Sequence, residues 1–99
     1  MTGPADVMEL QERQIPEPAA GEVRVRVIRS GVNPTDWKSR AGSRPGEPVP
    51  FGYQVPNQDG AGVIDAVAHD VKDRSIGERV WLWEAAWQRA EGTAQEFVC

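Results

Sequence analysis

The amino-acid sequence points to a mainly β fold, a compact and partly open β-barrel with short helical turns. Three features lead there. With 99 residues the chain has room for one core and one small domain. Its 8 prolines and 10 glycines are spread along the sequence and break every periodic run before a helix of ordinary length. Between them lie apolar runs of strand length, one of which alternates strictly.

The elements follow in order. Pro16 to Gly21 is a turn-rich lead-in. From Glu22 to Ser30 the chain alternates, with Val23, Val25 and Val27 on one face and Arg24 and Arg26 on the other, which predicts a half-buried strand. Gly31 and Pro34 stop it, and Asn33 to Arg40 predicts one short helical turn ahead of Gly42. Gly42 to Pro56 carries glycines and prolines without periodicity and reads as a long exposed loop. Gly60 to Val67 is an apolar run of strand length. Gly77 to Trp83 predicts a tight turn feeding another strand, and Ala94 to Val98 a last one. No internal repeat argues for a solenoid.

Composition excludes several functions. Apolar residues make up 39% and charged residues 26%, which is globular usage. The formal charge of -4, with both signs mixed along the chain, disfavours bulk attraction to nucleic acid or to anionic membrane. Cys99 is the single cysteine, so neither an internal disulfide nor a multi-thiolate metal site can be built. Met1 to Asp6 lacks a basic start and an apolar run, and no stretch approaches a membrane span. A reducing, cytoplasmic setting is expected.

Most candidate chemistry fails on context. Gly60-Ala61-Gly62 opens like a dinucleotide fingerprint, but Asp65 holds the third glycine position and a β-type run follows, so close strand packing is the better reading. His69 beside Asp70 reads as a solvated loop residue. Ser30, Ser39, Ser43 and Ser75 lack a nucleophile-elbow context. Trp81 and Trp83 are expected on one face of a strand, and with Trp87 they are first assigned to the core; any exposed remainder would line an apolar pocket or an interface.

One segment is more specific. Gly31-Val32-Asn33-Pro34-Thr35-Asp36 after an alternating strand, then Asn57-Gln58-Asp59-Gly60-Ala61-Gly62-Val63-Ile64, then Gly77-Glu78-Arg79-Val80, and finally Gly92 to Val98, resembles the N-terminal GroES-like domain of medium-chain dehydrogenases/reductases in order and spacing. The likeness runs from about Pro16 to Cys99. In zinc-dependent members of that family a cysteine stands at Asn33 and a histidine-glutamate pair at Gln58 and Asp59. Neutral amides are poor zinc ligands. The four close cysteines of the structural-zinc lobe are absent too, so the chain is similar to the zinc-independent NADPH:quinone oxidoreductases, the zeta-crystallin-like branch.

That resemblance implies NADPH as cofactor, no zinc, and a quinone or an activated alkene or carbonyl as small-molecule partner. It implies catalytic roles for Asn33, whose amide would donate to a carbonyl gaining negative charge, for Asp36, the motif acid, which equally reads as a cap for the helical turn, and for Lys38, a cation where many relatives carry tyrosine. Trp37 and Tyr53 would contact substrate; cofactor-binding residues stay unassigned. Thr35 matches a proton-relay hydroxyl whose role depends on the metal. Residues 1–99 would form one such domain, truncated at both ends and lacking the Rossmann domain that follows in the family. A single domain of this kind, inactive alone and prone to self-association through Trp37 or the Trp81 to Trp87 cluster, is one expectation. A stand-alone GroES-like binding module is the other.

Overall fold

In the computed structural model, which describes residues 1–99, the alternating run forms β1 (Val23–Ser30) at the interior of an antiparallel sheet. β2 (Gly60–Val67) pairs with one side of β1 and the short β4 (Phe97–Val98) with the other, while β3 (Arg79–Leu82) lies outside β2. The strand order is β3-β2-β1-β4. β3 and β4 remain as edges, so the sheet is partly open. α1 (Pro34–Ala41) follows β1, and a single 3-10 turn covers Ala5–Val7. No helix is long and apolar enough to cross a membrane.

The core is small and gathers on the valine-bearing face of β1. Val25, Ile64 and Val98 are fully buried, and Val23, Val27, Val67, Val80 and Leu82 pack around them. Two irregularities, between Arg24 and Val25 and between Val27 and Arg29, interrupt the register. They change what the second face does. Arg26 is exposed as expected, but Arg24 is largely covered: its Nε donates to Asp65 Oδ1 at 2.8 Å, one terminal nitrogen donates to the Pro16 carbonyl at 3.0 Å, and its guanidinium lies 5.5 Å from the Phe97 ring centroid. The Pro16–Glu17 segment is thereby pinned across the sheet.

The tryptophans depart from expectation. Trp81, Trp83 and Trp87 are 76%, 71% and 65% exposed and form no part of the core. On the edge strand β3, Val80 and Leu82 turn inward and Trp81 therefore turns out; Trp83 lies beyond the strand end, so the two do not share a strand face. The last strand is also shorter than expected. Ala94 donates to the Pro56 carbonyl at 3.0 Å and Gln95 to that of Thr93 at 2.8 Å, which diverts the backbone until Phe97.

The long loop is better anchored than its composition suggests. Buried Thr2 donates through Oγ1 to the Arg44 carbonyl at 2.7 Å and accepts from the Glu47 N–H at 3.0 Å, while its own N–H reaches the Glu47 carbonyl at 2.8 Å. Further on, residues 90–94 run beside residues 55–57 through the Val55 N–H to Ala90 carbonyl bond at 2.8 Å and the Gly92 N–H to Val55 carbonyl bond at 3.1 Å.

Two glycines are required by close approach. A Cβ at Gly62 would collide with the Arg26 carbonyl oxygen, which makes the Gly60-Ala61-Gly62 run a packing device. A Cβ at Gly92 would collide with the carbonyl oxygens of Val55, Pro56 and Asn57 at once. All three belong to backbone that cannot retreat without breaking the 55–57 to 90–94 pairing. Gly92→Ala is therefore expected to lower unfolding free energy by about 3 kcal/mol, read by urea denaturation; an unchanged midpoint would contradict the packing described.

Candidate functional site

The end of β1 and the start of β2 are held side by side, because Ser30 pairs with Gly60 and the Gly31 N–H donates to the Asp59 carbonyl at 2.8 Å. Two residues on, Asn33 leaves the strand in an extended conformation and becomes the N-cap of α1. Pro34 opens the helix, where its missing N–H costs nothing. Asn33 and Asp36 form a capping box in which the Asn33 N–H donates to Asp36 Oδ2 at 2.6 Å. Asp36 is thus buried and engaged, and its carboxylate sits where the helix dipole favours negative charge.

The Asn33 side chain turns the other way. Its Nδ2 donates to Asp59 Oδ2 at 2.8 Å, so the amide is fixed between β1's exit and β2's beginning. Trp37 and Lys38 follow on α1. Trp37 is half exposed, and Lys38 Nζ lies 5.7 Å from its ring centroid without entering any ion pair. Asn33, Asp36, Trp37 and Lys38 therefore share one end of the sheet, where Asp59 joins them.

Tyr53 belongs to a different cluster. Its hydroxyl donates to Glu91 Oε1, and the Arg13 guanidinium stacks 5.0 Å from its ring centroid while donating to both Glu91 oxygens at 3.0 and 3.3 Å. Gln95 Nε2 adds a bond to Glu91 Oε2 at 3.1 Å. Burial pushes the Glu91 carboxyl up, but the hydrogen bonds from Arg13, Tyr53 and Gln95 outweigh it and hold the group at about 2. The same Glu91 bond raises Tyr53, which keeps its phenol protonated. No hydrogen bond links this cluster directly to Asn33. Neither Arg13 nor Glu91 carries a sequence signal, since each is one charge among many on a polar stretch.

The donor chemistry can be tested for metal and for nucleotide. Gln58 is committed to holding the following loop: its carbonyl accepts from the Ala85 N–H at 2.8 Å and its Oε1 from the Ala86 N–H at 3.1 Å. Asp59 already accepts the Asn33 amide, and nowhere do three His, Cys, Asp or Glu side chains converge. These residues do not fit zinc. Nor do they fit a pyrophosphate, because the one α-helix presents the Asp36 carboxylate at its N-terminus.

An antiparallel sheet of this order, with a capped Asn-Pro helix leaving its long strand and a glycine-led closing segment, has the parts that the sequence motifs resemble. Residues 19–98 match the family described as "Alcohol dehydrogenase GroES-like domain", and the chain belongs to that family. Among curated relatives, an alcohol dehydrogenase of a Moraxella species is 37% identical over 81 residues, covering 79% of this chain and 23% of that protein. A quinone oxidoreductase of Pseudomonas aeruginosa is 36% identical over 78 residues, again covering 79% of this chain and 23% of that protein. Among solved structures, mycobacterial Rv1454c complexed with NADPH superposes with a TM-score of 0.76 at 27% identity, covering 99% of this chain and 28% of that one. The chain spans about a quarter of the length of these proteins.

The Glu91 cluster has a defined pH signature. A carboxyl held at about 2 against an ordinary 4.5 contributes stability that is complete above pH 4.5 and lost as pH falls toward 2. For a partly solvated group this amounts to on the order of 1–2 kcal/mol. Glu91→Gln is expected to destabilise by that amount near neutrality, and the gap between variant and parent should close at the acid end of a series of urea melts; a gap independent of pH would contradict the cluster.

Proposed function

We propose that this chain is the substrate-side domain of a zinc-independent oxidoreductase of the zeta-crystallin-like quinone oxidoreductase branch, in which hydride passes from NADPH to a quinone or an activated alkene or carbonyl. The observation that carries this reading is the Asn33 amide held on Asp59 at 2.8 Å. In that bond one proton of the carboxamide is used and the second is free. When hydride adds to a quinone or enone, negative charge develops on the carbonyl oxygen, and a fixed donor is worth more there than a mobile one. Asn33 supplies that donor, and neutral amides at Asn33 and Gln58, where zinc-dependent relatives carry thiolate and imidazole, support a metal-free route.

Asp36 acts as a positioning residue, since its carboxylate holds the Asn33 backbone and the first turn of α1. Lys38, with no ion-pair partner, stabilises the developing enolate or phenolate. Trp37 and Tyr53, each about half exposed, offer aromatic faces to a flat ring. NADPH supplies the hydride, and its pyrophosphate is held outside the residues described here. The chain alone is expected to be inactive in a cytoplasmic, reducing setting, because orienting donor against acceptor contributes about 7–11 kcal/mol to such a reaction. The exposed Trp81, Trp83 and Trp87 favour, as a second reading, a stand-alone binding module that docks or self-associates through that surface.

Titration with duroquinone, a fully substituted quinone that resists nucleophilic addition yet can still accept hydride, followed by isotope-edited NMR, distinguishes them. Shifts are expected at the Asn33 carboxamide and the Trp37 indole and are lost in Asn33→Ala, with no NADPH oxidation by the isolated chain and zinc far below one per chain by elemental analysis. Shifts confined to Trp81–Trp87, or stoichiometric zinc, would overturn the reading.

A further inference from the structure

We infer that Thr93 is a positioning residue for the Asn33 amide, acting through Asp59; the inference rests on the role proposed above for Asn33. Thr93 is completely buried, at 0% exposure. Its Oγ1 lies 2.6 Å from the Asp59 carbonyl oxygen and 2.9 Å from Ser30 Oγ. Ser30 Oγ in turn lies 2.8 Å from Asn57 Nδ2.

The direction of every proton in this chain follows from chemistry. A carbonyl oxygen only accepts, so the Thr93 hydroxyl proton goes to Asp59. Having spent its proton, Thr93 must accept from Ser30. Ser30, whose proton then points at Thr93, accepts from the Asn57 amide. The relay runs one way, Asn57 to Ser30 to Thr93 to Asp59, and bonds aligned in this manner polarise one another.

Its terminus is the residue that fixes Asn33. The Asp59 carbonyl receives two donors, Thr93 Oγ1 and the Gly31 N–H at 2.8 Å, and the Asp59 carboxylate receives Asn33 Nδ2. Thr93 also donates its backbone N–H to the Asn57 carbonyl at 2.8 Å, so one residue braces both ends of the 57–59 segment. That segment starts at Asn57 with φ 72, a left-handed conformation that asparagine tolerates but that needs support. A valine would fill the space of Thr93. It would leave Ser30 without an acceptor and the Asp59 carbonyl with one donor instead of two, so the site needs the hydroxyl itself.

The test compares Thr93→Val, Thr93→Ser and, as a stability control remote from the relay, Val67→Ala. Thr93→Val is expected to shift the Asn33 carboxamide resonances toward solvent-averaged positions and to weaken duroquinone binding roughly tenfold, about the effect of one hydrogen bond. Thr93→Ser should restore both. Val67→Ala should lower Tm while moving neither. If Thr93→Val does not fold, Ser30→Ala, at the exposed link between Asn57 and Thr93, carries the test, with the same carboxamide shift expected at smaller amplitude. Unchanged Asn33 resonances in the folded variant would overturn the inference. Should the parent chain show no duroquinone binding at Asn33 while Thr93→Val still moves its carboxamide, the positioning role stands and the quinone reading falls.

Discussion

The pairing of β1 with β2 is the constraint on which the rest of the molecule depends. Val25 stands opposite Ile64, the two most thoroughly buried aliphatic side chains, and Gly62 lets the strands approach until its α-carbon faces the Arg26 carbonyl. Because side chains alternate with a period of two, a slip of one residue would turn the valines of β1 out to water, so the register is held by burial. That register carries through to the strand ends, where Ser30 meets Gly60 and Gly31 meets Asp59. Asn33 can reach Asp59 only because the ladder delivers both to the same place.

The neighbourhood so built is electrostatically uneven. Two carboxylates, Asp36 and Asp59, flank Asn33, and both are occupied by N–H donors of that one residue. Asn33 is therefore oriented from both its backbone and its side chain, while the positive charge of Lys38 stands one helical turn further on with no partner. An anionic oxygen arriving here meets a donor and a cation, yet the same two acids keep phosphate away from the helix end.

Much of this was legible in the sequence where a local rule governs. Alternation set β1, the glycine run set β2, and Asn33-Pro34 with Asp36 three positions after the cap set α1. What escaped depends on partners distant in the chain. Arg24 looks like a solvent-facing residue until Asp65 and Phe97 are brought to it, and Glu91 gains its character from Arg13, 78 residues away. The tryptophans misled because apolar bulk normally signals a core, whereas β3 is an edge strand with only one covered face. Thr93 gave no signal, since a threonine beside a glycine is ordinary; only its burial and its hydrogen bonds to the distant Asp59, Ser30 and Asn57 set it apart.

The stretch from residue 9 to residue 18 is held unlike anything else in the molecule. No backbone-to-backbone hydrogen bond fastens it, and Leu10 and Ile15 point into water. What retains it are two guanidinium groups, Arg13 gripping Glu91 and Arg24 gripping the Pro16 carbonyl. Attachment by charge rather than by apolar burial makes ionic strength a conformational variable: salt that leaves the valine core untouched loosens this strip first. The molecule accordingly has two layers of cohesion, one governed by hydrophobicity and one by the concentration of ions around it.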